Sequence, residues 1–152
     1  MSDRELRVEL RNLQALPYSP EAIVAAARQA LALSGRKLDC LSLALVDDER
    51  MARLNRQFLG REGPTDVIAF PAEESEEGRC GEAIVCVSVA REQAAERGHS
   101  LTRELAILTA HGVLHAVGYT DATEAEREVM SALQERAADL ALAAGQAESD
   151  ER

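Results

Sequence analysis

A chain of 152 residues, 46% of them hydrophobic, is long enough to close one core and short for two, which argues against both a disordered chain and a two-domain protein. Its net charge of −10 excludes a protein that coats nucleic acid by bulk electrostatics, because that needs a basic surface, while a local basic groove stays open. No stretch approaches the roughly 20 apolar residues that cross a bilayer, and the opening MSDRELRVEL has no apolar signal core, so a cytoplasmic protein without a membrane partner is expected.

Leu6, Val8 and Leu10 alternate with polar residues, the period of a half-buried strand. After Pro17 and Pro20, the spacing of Ile23, Val24, Ala27, Ala30 and Leu31 predicts a helix that ends at Ser34-Gly35. Leu41, Leu43 and Leu45 form a second alternating strand, stopped by Asp47, Asp48 and Glu49, acids suited to the positive end of a helix that runs to about Leu59. Gly60 to Pro64 is a turn, and Asp66 to Phe70 a short strand closed by Pro71. The glutamates from Glu73 to Glu77 repel one another, so a mobile loop is expected there. The apolar, β-branched run from Ala83 to Val89 predicts a buried central strand, followed by a helix from Ala90 to Arg97. Ser100 is placed to cap a helix through Leu101, Leu105, Leu108, His111 and His115 that stops at Gly118. Thr123-Glu-Ala-Glu126 has the form of a capping box opening a last helix with Val129, Met130, Leu133, Ala137 and Leu140 on its apolar face.

The order βαβαββααα specifies an α+β fold, a mixed four-stranded sheet with about five helices packed on it. One domain is expected over residues 1–145, with a frayed acidic tail at 146–152. Cys40, Cys80 and Cys86 are odd in number and lack the Cys-x-x-Cys spacing of a zinc site, which predicts buried free thiols in a reducing compartment.

The segment His111-Gly-Val-Leu-His115-Ala-Val-Gly118-Tyr-Thr-Asp121 carries the chemistry. Residues four apart on a helix stand one above the other, so both imidazoles can converge on one ion. Gly118 can take the left-handed conformation that ends the helix and folds the chain back, bringing Asp121 as a third ligand. Three protein ligands with one open position describe a catalytic metal site, since structural zinc is usually closed by four. A lone pair of histidines at this spacing is most often an ordinary pair of helix residues; the glycine and the carboxylate beyond it decide for metal. His99 lies outside the spacing and is read as a surface or capping residue. Metalloproteases with the same spacing carry a glutamate as general base directly after the first histidine. Here Gly112 stands in that place, which leaves a small metallopeptidase as the weakest reading.

His111-Gly-Val-Leu-His115-x-x-Gly118-Tyr119, together with Leu54-Asn55 and Pro64-Thr65-Asp66-Val67-Ile68-Ala69-Phe70-Pro71, resembles the bacterial YbeY family of metal-dependent endoribonucleases that act in ribosomal RNA maturation. Gly81-Glu82-Ala83-Ile84 is similar to that family's Gly-Asp-Ile strand, and Arg103-Glu104-Leu105 leads into the histidine helix in the same way; the likeness spans about Val46 to Leu140. The resemblance implies zinc, or another divalent transition metal, held by His111, His115 and Asp121. It also implies a single-strand endoribonuclease of 16S rRNA 3′-end maturation and ribosome quality control, with ribosomal RNA and the small ribosomal subunit as partners.

Two positions depart from the family pattern. The family's third ligand is a histidine where this chain has Asp121, an acceptable zinc ligand that removes one positive charge from the filled site. The family carries Tyr-Arg, with the arginine facing phosphate, where this chain has Phe58-Leu59; Arg61, as a phosphate contact, or Arg56 is then the candidate cation. No side chain is an obvious general base, and Glu104 or Asp66 could serve only if folding brought it close. These departures raise a second reading, a ribosome-associated binding module of the same fold with weakened or lost catalysis. The oligomeric state is left open.

Overall fold

The computed structural model describes the backbone of residues 5–150 and the side chains of residues 5–144. Four strands, β1 (Arg7–Leu13), β2 (Cys40–Val46), β3 (Val67–Ser75) and β4 (Gly78–Cys86), form one sheet in the order β1-β2-β4-β3. The five helices are α1 (Pro20–Ser34), α2 (Asp48–Leu59), α3 (Val87–Arg97), α4 (Leu101–Ala116) and α5 (Glu124–Asp150). β1, β2 and β4 run parallel and β3 antiparallel to β4, so the sheet is mixed and the fold is the α+β arrangement that the order of elements specified.

Local chemistry sets where the helices begin. Ser19 accepts a hydrogen bond from the Ala22 amide at 3.2 Å with Pro20 next to it, so α1 starts where one orphan amide finds an acceptor and proline has no amide to leave orphaned. Asp47 does the same for Arg50 at 2.9 Å, with Asp48 and Glu49 adding negative charge to the first turn of α2. Ser100 accepts from Arg103 at 3.1 Å and opens α4.

Alternation divides the sheet into two faces. Leu41, Leu43 and Leu45 of β2 and Ala83 and Val85 of β4 are fully buried under α1 and α4, packing with Ile23, Ala27, Leu105 and Leu114. Each large apolar side chain so buried contributes about 1.5–3 kcal/mol. The opposite face is shorter, with Val46, Ile68, Ile84 and Cys86 beneath Met51 of α2. α4 is the central helix, in contact with α1, α3, α5, β3 and β4. Its contact with β4 is close: a Cβ added at Gly112 would stand 2.8 Å from the Ala83 Cβ, and one at Gly81 would stand 2.7 Å from the Ala116 Cβ. α5 is tied across α4 by Arg103, which bridges Glu135 at 2.6 Å and Asp139 at 2.9 Å.

Several local expectations are corrected. The acidic stretch is a hairpin and not a mobile loop: β3 continues through Pro71 to Ser75, with Glu73, Glu74 and Ser75 opposite Cys80, Arg79 and Gly78. The register shifts between Phe70 and Glu73, and because β3 is an edge strand, Pro71 withholds no amide that a neighbour needs. The apolar run read as a strand to Val89 divides at Cys86, beyond which Val87, Ala90 and Ala94 are buried at helical spacing in α3. Cys40 and Cys80 are not free thiols but a disulfide, because they are register partners on adjacent strands with Cα atoms 4.6 Å apart; Cys86 alone is free, and buried. Val129 is 51% exposed and not part of the inner face of α5. The backbone of α5 is helical to Asp150; of the tail expected at 146–152, the side chains, and for 151–152 the backbone, lie outside the described residues.

Candidate metal centre

The last turns of α4 carry His111 and His115 on one side, their ring centroids 5.1 Å apart. The helix then closes on itself: the Gly118 amide donates to the His115 carbonyl at 3.1 Å and the Tyr119 amide to the Leu114 carbonyl at 2.9 Å. That pair of bonds needs a left-handed residue after the cap, and Gly118 supplies it with φ of 100°. Arg36 secures the same helix end from α1's side, its Nη1 donating to the Val117 carbonyl at 2.7 Å while its guanidinium lies 4.2 Å from the Tyr119 ring centre. From there the chain turns back and presents Asp121, whose carbonyl and that of Ala122 accept from Arg127 of α5 at 3.3 and 3.4 Å.

One ligand-capable atom each from His111, His115 and Asp121 lies within 4.8 Å of the other two, and His115 Nε2 stands 4.0 Å from Asp121 Oδ1. A tetrahedral zinc ion with ligand distances of about 2.0–2.1 Å holds its donors roughly 3.4 Å apart. The His115–Asp121 pair at 4.0 Å lies roughly 0.6 Å outside that spacing, and side-chain rotation over at most about 1.4 Å closes the triangle elsewhere. Burial pushes the His115 pKa below its ordinary value, proximity to His111 pushes it the same way, and Asp121 opposes both. His115 is therefore held toward the neutral imidazole that a metal requires. His111 Nδ1 lies 2.7 Å from Gln134 Oε1 on α5. Two imidazole nitrogens and a carboxylate oxygen, with Asp121 half exposed, are a donor set that fits one divalent transition metal.

The other residues singled out in the sequence do not join this triangle. Glu104 is fully buried and bound to Arg97 and His99, each at 2.6 Å, so it locks the turn between α3 and α4. His99 is accordingly neither a surface nor a capping residue but a partner of a buried carboxylate. Asp66 accepts from the Val67 amide at 2.7 Å and from Gln93 of α3 at 3.3 Å, and Thr65 lies beside it, so Asp66 ties its own turn to α3. Arg56 is occupied by Glu62 at 2.8 Å. Arg61 is exposed, and its guanidinium has no hydrogen bond or ion pair among the described residues. Neither arginine bonds to the triangle.

Gln134 and Arg127 escaped the sequence reading because their partners lie on another element. A signal for Gln134 existed: it breaks the inner stripe of α5 formed by Met130, Ala137, Ala138 and Ala141. A second cluster, Cys40, Glu77 and Cys80, meets the same distance test, but its two sulfurs are bonded to each other and offer no thiolate.

Residues 9–141 match the family model described as Endoribonuclease YbeY. An endoribonuclease YbeY of Salinispora tropica is 39% identical over 146 residues, covering 86% of this chain and 93% of the relative. One from Mycobacterium tuberculosis is 38% identical over 147 residues, covering 86% and 81%. Among solved structures, a solution structure of a Thermotoga maritima protein superposes with a TM-score of 0.63 at 23% identity, over 97% of this chain and 95% of that one, a likeness of fold.

Proposed function

This chain belongs to the YbeY endoribonuclease family, and from that premise we propose that it is a metal-dependent endoribonuclease cutting single-stranded RNA in 16S rRNA 3′-end maturation and ribosome quality control. The observation that carries the metal dependence is the convergence of His111, His115 and Asp121 within 4.8 Å. Zinc is the ion that donor set suits best, with another divalent transition metal as the alternative. The small ribosomal subunit is the setting in which the substrate is met.

The chain's own residues divide the work between them. His111 and His115 come from the most buried helix of the fold and supply a rigid pair of nitrogens. Asp121 comes from a loop fixed by Gly118 and Arg127 and leaves the outer side of the site open to substrate. The chemistry a divalent ion supplies when bound is Lewis acidity, which acidifies water and draws charge from a phosphoryl oxygen. Arg61 is the group proposed to take a phosphate, since Arg56 is already neutralised by Glu62. No carboxylate of the chain is offered as general base, because Glu104 and Asp66 are bonded elsewhere.

A binding module with weakened catalysis is the second reading, favoured by Leu59, which is 48% exposed where the family carries an arginine. The peptidase reading is the weakest, since Gly112 stands where its general-base glutamate would be and a Cβ there would meet the Ala83 Cβ at 2.8 Å. Zinc-loaded protein is incubated with ribosomal RNA beside His111→Ala and Arg61→Ala variants. Cleavage by the wild type that vanishes with His111→Ala and falls with Arg61→Ala supports the nuclease. RNA retained but uncut by wild type, with both variants behaving alike, supports the binding module.

A further inference from the structure

We infer that Gln134 is a positioning residue of the metal centre, fixing the tautomer of His111 so that its Nε2 is the nitrogen offered to an ion. This rests on the reading of His111, His115 and Asp121 as metal ligands.

Gln134 sits on the inner side of α5, with Met130, Ala137 and Ala138 around it at helical spacing and each no more than 2% exposed. A polar side chain in such a stripe costs free energy unless it is partnered. Its partner is His111, with Oε1 2.7 Å from Nδ1. An amide oxygen only accepts, so the proton of that hydrogen bond must sit on Nδ1. A neutral imidazole has one ring proton, and placing it there leaves the lone pair on Nε2 alone.

The effect matters because free histidine in water favours the opposite tautomer, with the proton on Nε2, which cannot ligate through that atom. Ligating histidines are held by a group on their other nitrogen, and losing that group typically costs 10–100-fold in metal affinity. An amide does this without adding charge. Asp121 is then the sole negative group among the three ligands and Gln134, and the orientation of His111 does not depend on a titrating partner. His115 has no comparable hydrogen bond among the described residues, so His111 is the pre-set nitrogen of the pair.

Two measurements test this on the whole chain: ring ¹⁵N–¹H correlation spectra of the metal-free protein, which report where each histidine proton resides, and zinc affinity by competition with a chromophoric chelator. In the wild type, His111 is expected to carry its proton on Nδ1. Gln134→Leu keeps the shape of the stripe and removes the acceptor; it should move the proton toward Nε2 and weaken zinc binding 10–100-fold with unchanged far-ultraviolet circular dichroism. Gln134→Glu restores an acceptor and should restore both the Nδ1 proton and wild-type or tighter binding. A wild-type His111 protonated on Nε2 overturns the inference whatever the variants do. Zinc binding by Gln134→Leu as tight as wild type overturns it while leaving the metal centre intact. Failure of the wild type to bind zinc removes the metal centre itself, and this role with it.

Discussion

Gly112→Ala tests how closely the metal-bearing helix lies on the sheet. Its new methyl would stand 2.8 Å from the Ala83 Cβ, whereas carbon atoms in contact sit about 3.5–4.0 Å apart, so helix and strand must part by roughly 1 Å. Overpacking of this size costs about 1–3 kcal/mol, and alanine in place of glycine returns about 1 kcal/mol of helix propensity. The net loss expected for the single variant is therefore roughly 0–2 kcal/mol. Ala83→Gly alone removes a buried methyl and loosens a central strand, for roughly 1–2 kcal/mol. In the double variant the methyl simply changes sides and the collision disappears. Urea unfolding of the metal-free wild type, both single variants and the double, followed by circular dichroism, should give a favourable coupling of about 1–3 kcal/mol. Additivity within about 0.5 kcal/mol would refute the contact as the reason for glycine at this position.

Three further outcomes are expected. Without reductant, the urea-unfolded chain should react with one equivalent of thiol reagent and the native chain with almost none, since Cys40 and Cys80 are bonded and burial pushes the Cys86 pKa up; three reactive thiols before reduction would contradict the disulfide. Glu104→Gln, which strips the charge from a fully buried carboxylate holding Arg97 and His99, should cost about 2–3 kcal/mol in urea unfolding, and a loss under about 0.5 kcal/mol would show the pair to be incidental. Because burial first, and His111 second, lower the His115 pKa in the folded state, its protonation favours unfolding. The stability that neutral His115 contributes is complete above the unfolded value of 6.5 and is lost as pH falls through 6.5 toward the folded value. Urea midpoints in chelator from pH 7.5 to 5 should show that loss, and a His115→Gln variant with an undiminished acid slope would contradict it.

The histidine helix and its turn were legible because they are local: the i,i+4 spacing, Gly118 and Asp121 all lie within eleven residues and each imposes its own geometry. The sheet was legible in β1 and β2 because burial on one face forces alternation, as at Leu41, Leu43 and Leu45, and in β4 because its core run is apolar and β-branched. The hairpin was hidden because β3 beyond Phe70 is an exposed edge whose glutamates are held by backbone pairing, a contribution that side-chain chemistry does not reveal. The end of β4 was hidden for the opposite reason, since Val85 and Val87 are both buried and an apolar run in a core has no period to mark where strand becomes helix. The bond from Gln134 to His111 joins residues 23 apart, and the disulfide joins residues 40 apart. Contacts at such separations are set by topology, on which spacing along the chain is silent.

That disulfide encloses β2, α2, β3 and the start of β4 in a covalent ring and leaves α4 and α5 outside it. A closed loop of this length withholds conformational freedom from the denatured chain worth about 4 kcal/mol on the chain-entropy account. Opening it would release the Pro64–Pro71 segment and the acidic hairpin to a far wider ensemble on unfolding, while the helix that bears the histidines would keep all of its native neighbours. Thiol chemistry thus bears on how readily the whole chain unfolds, independently of what the imidazoles hold.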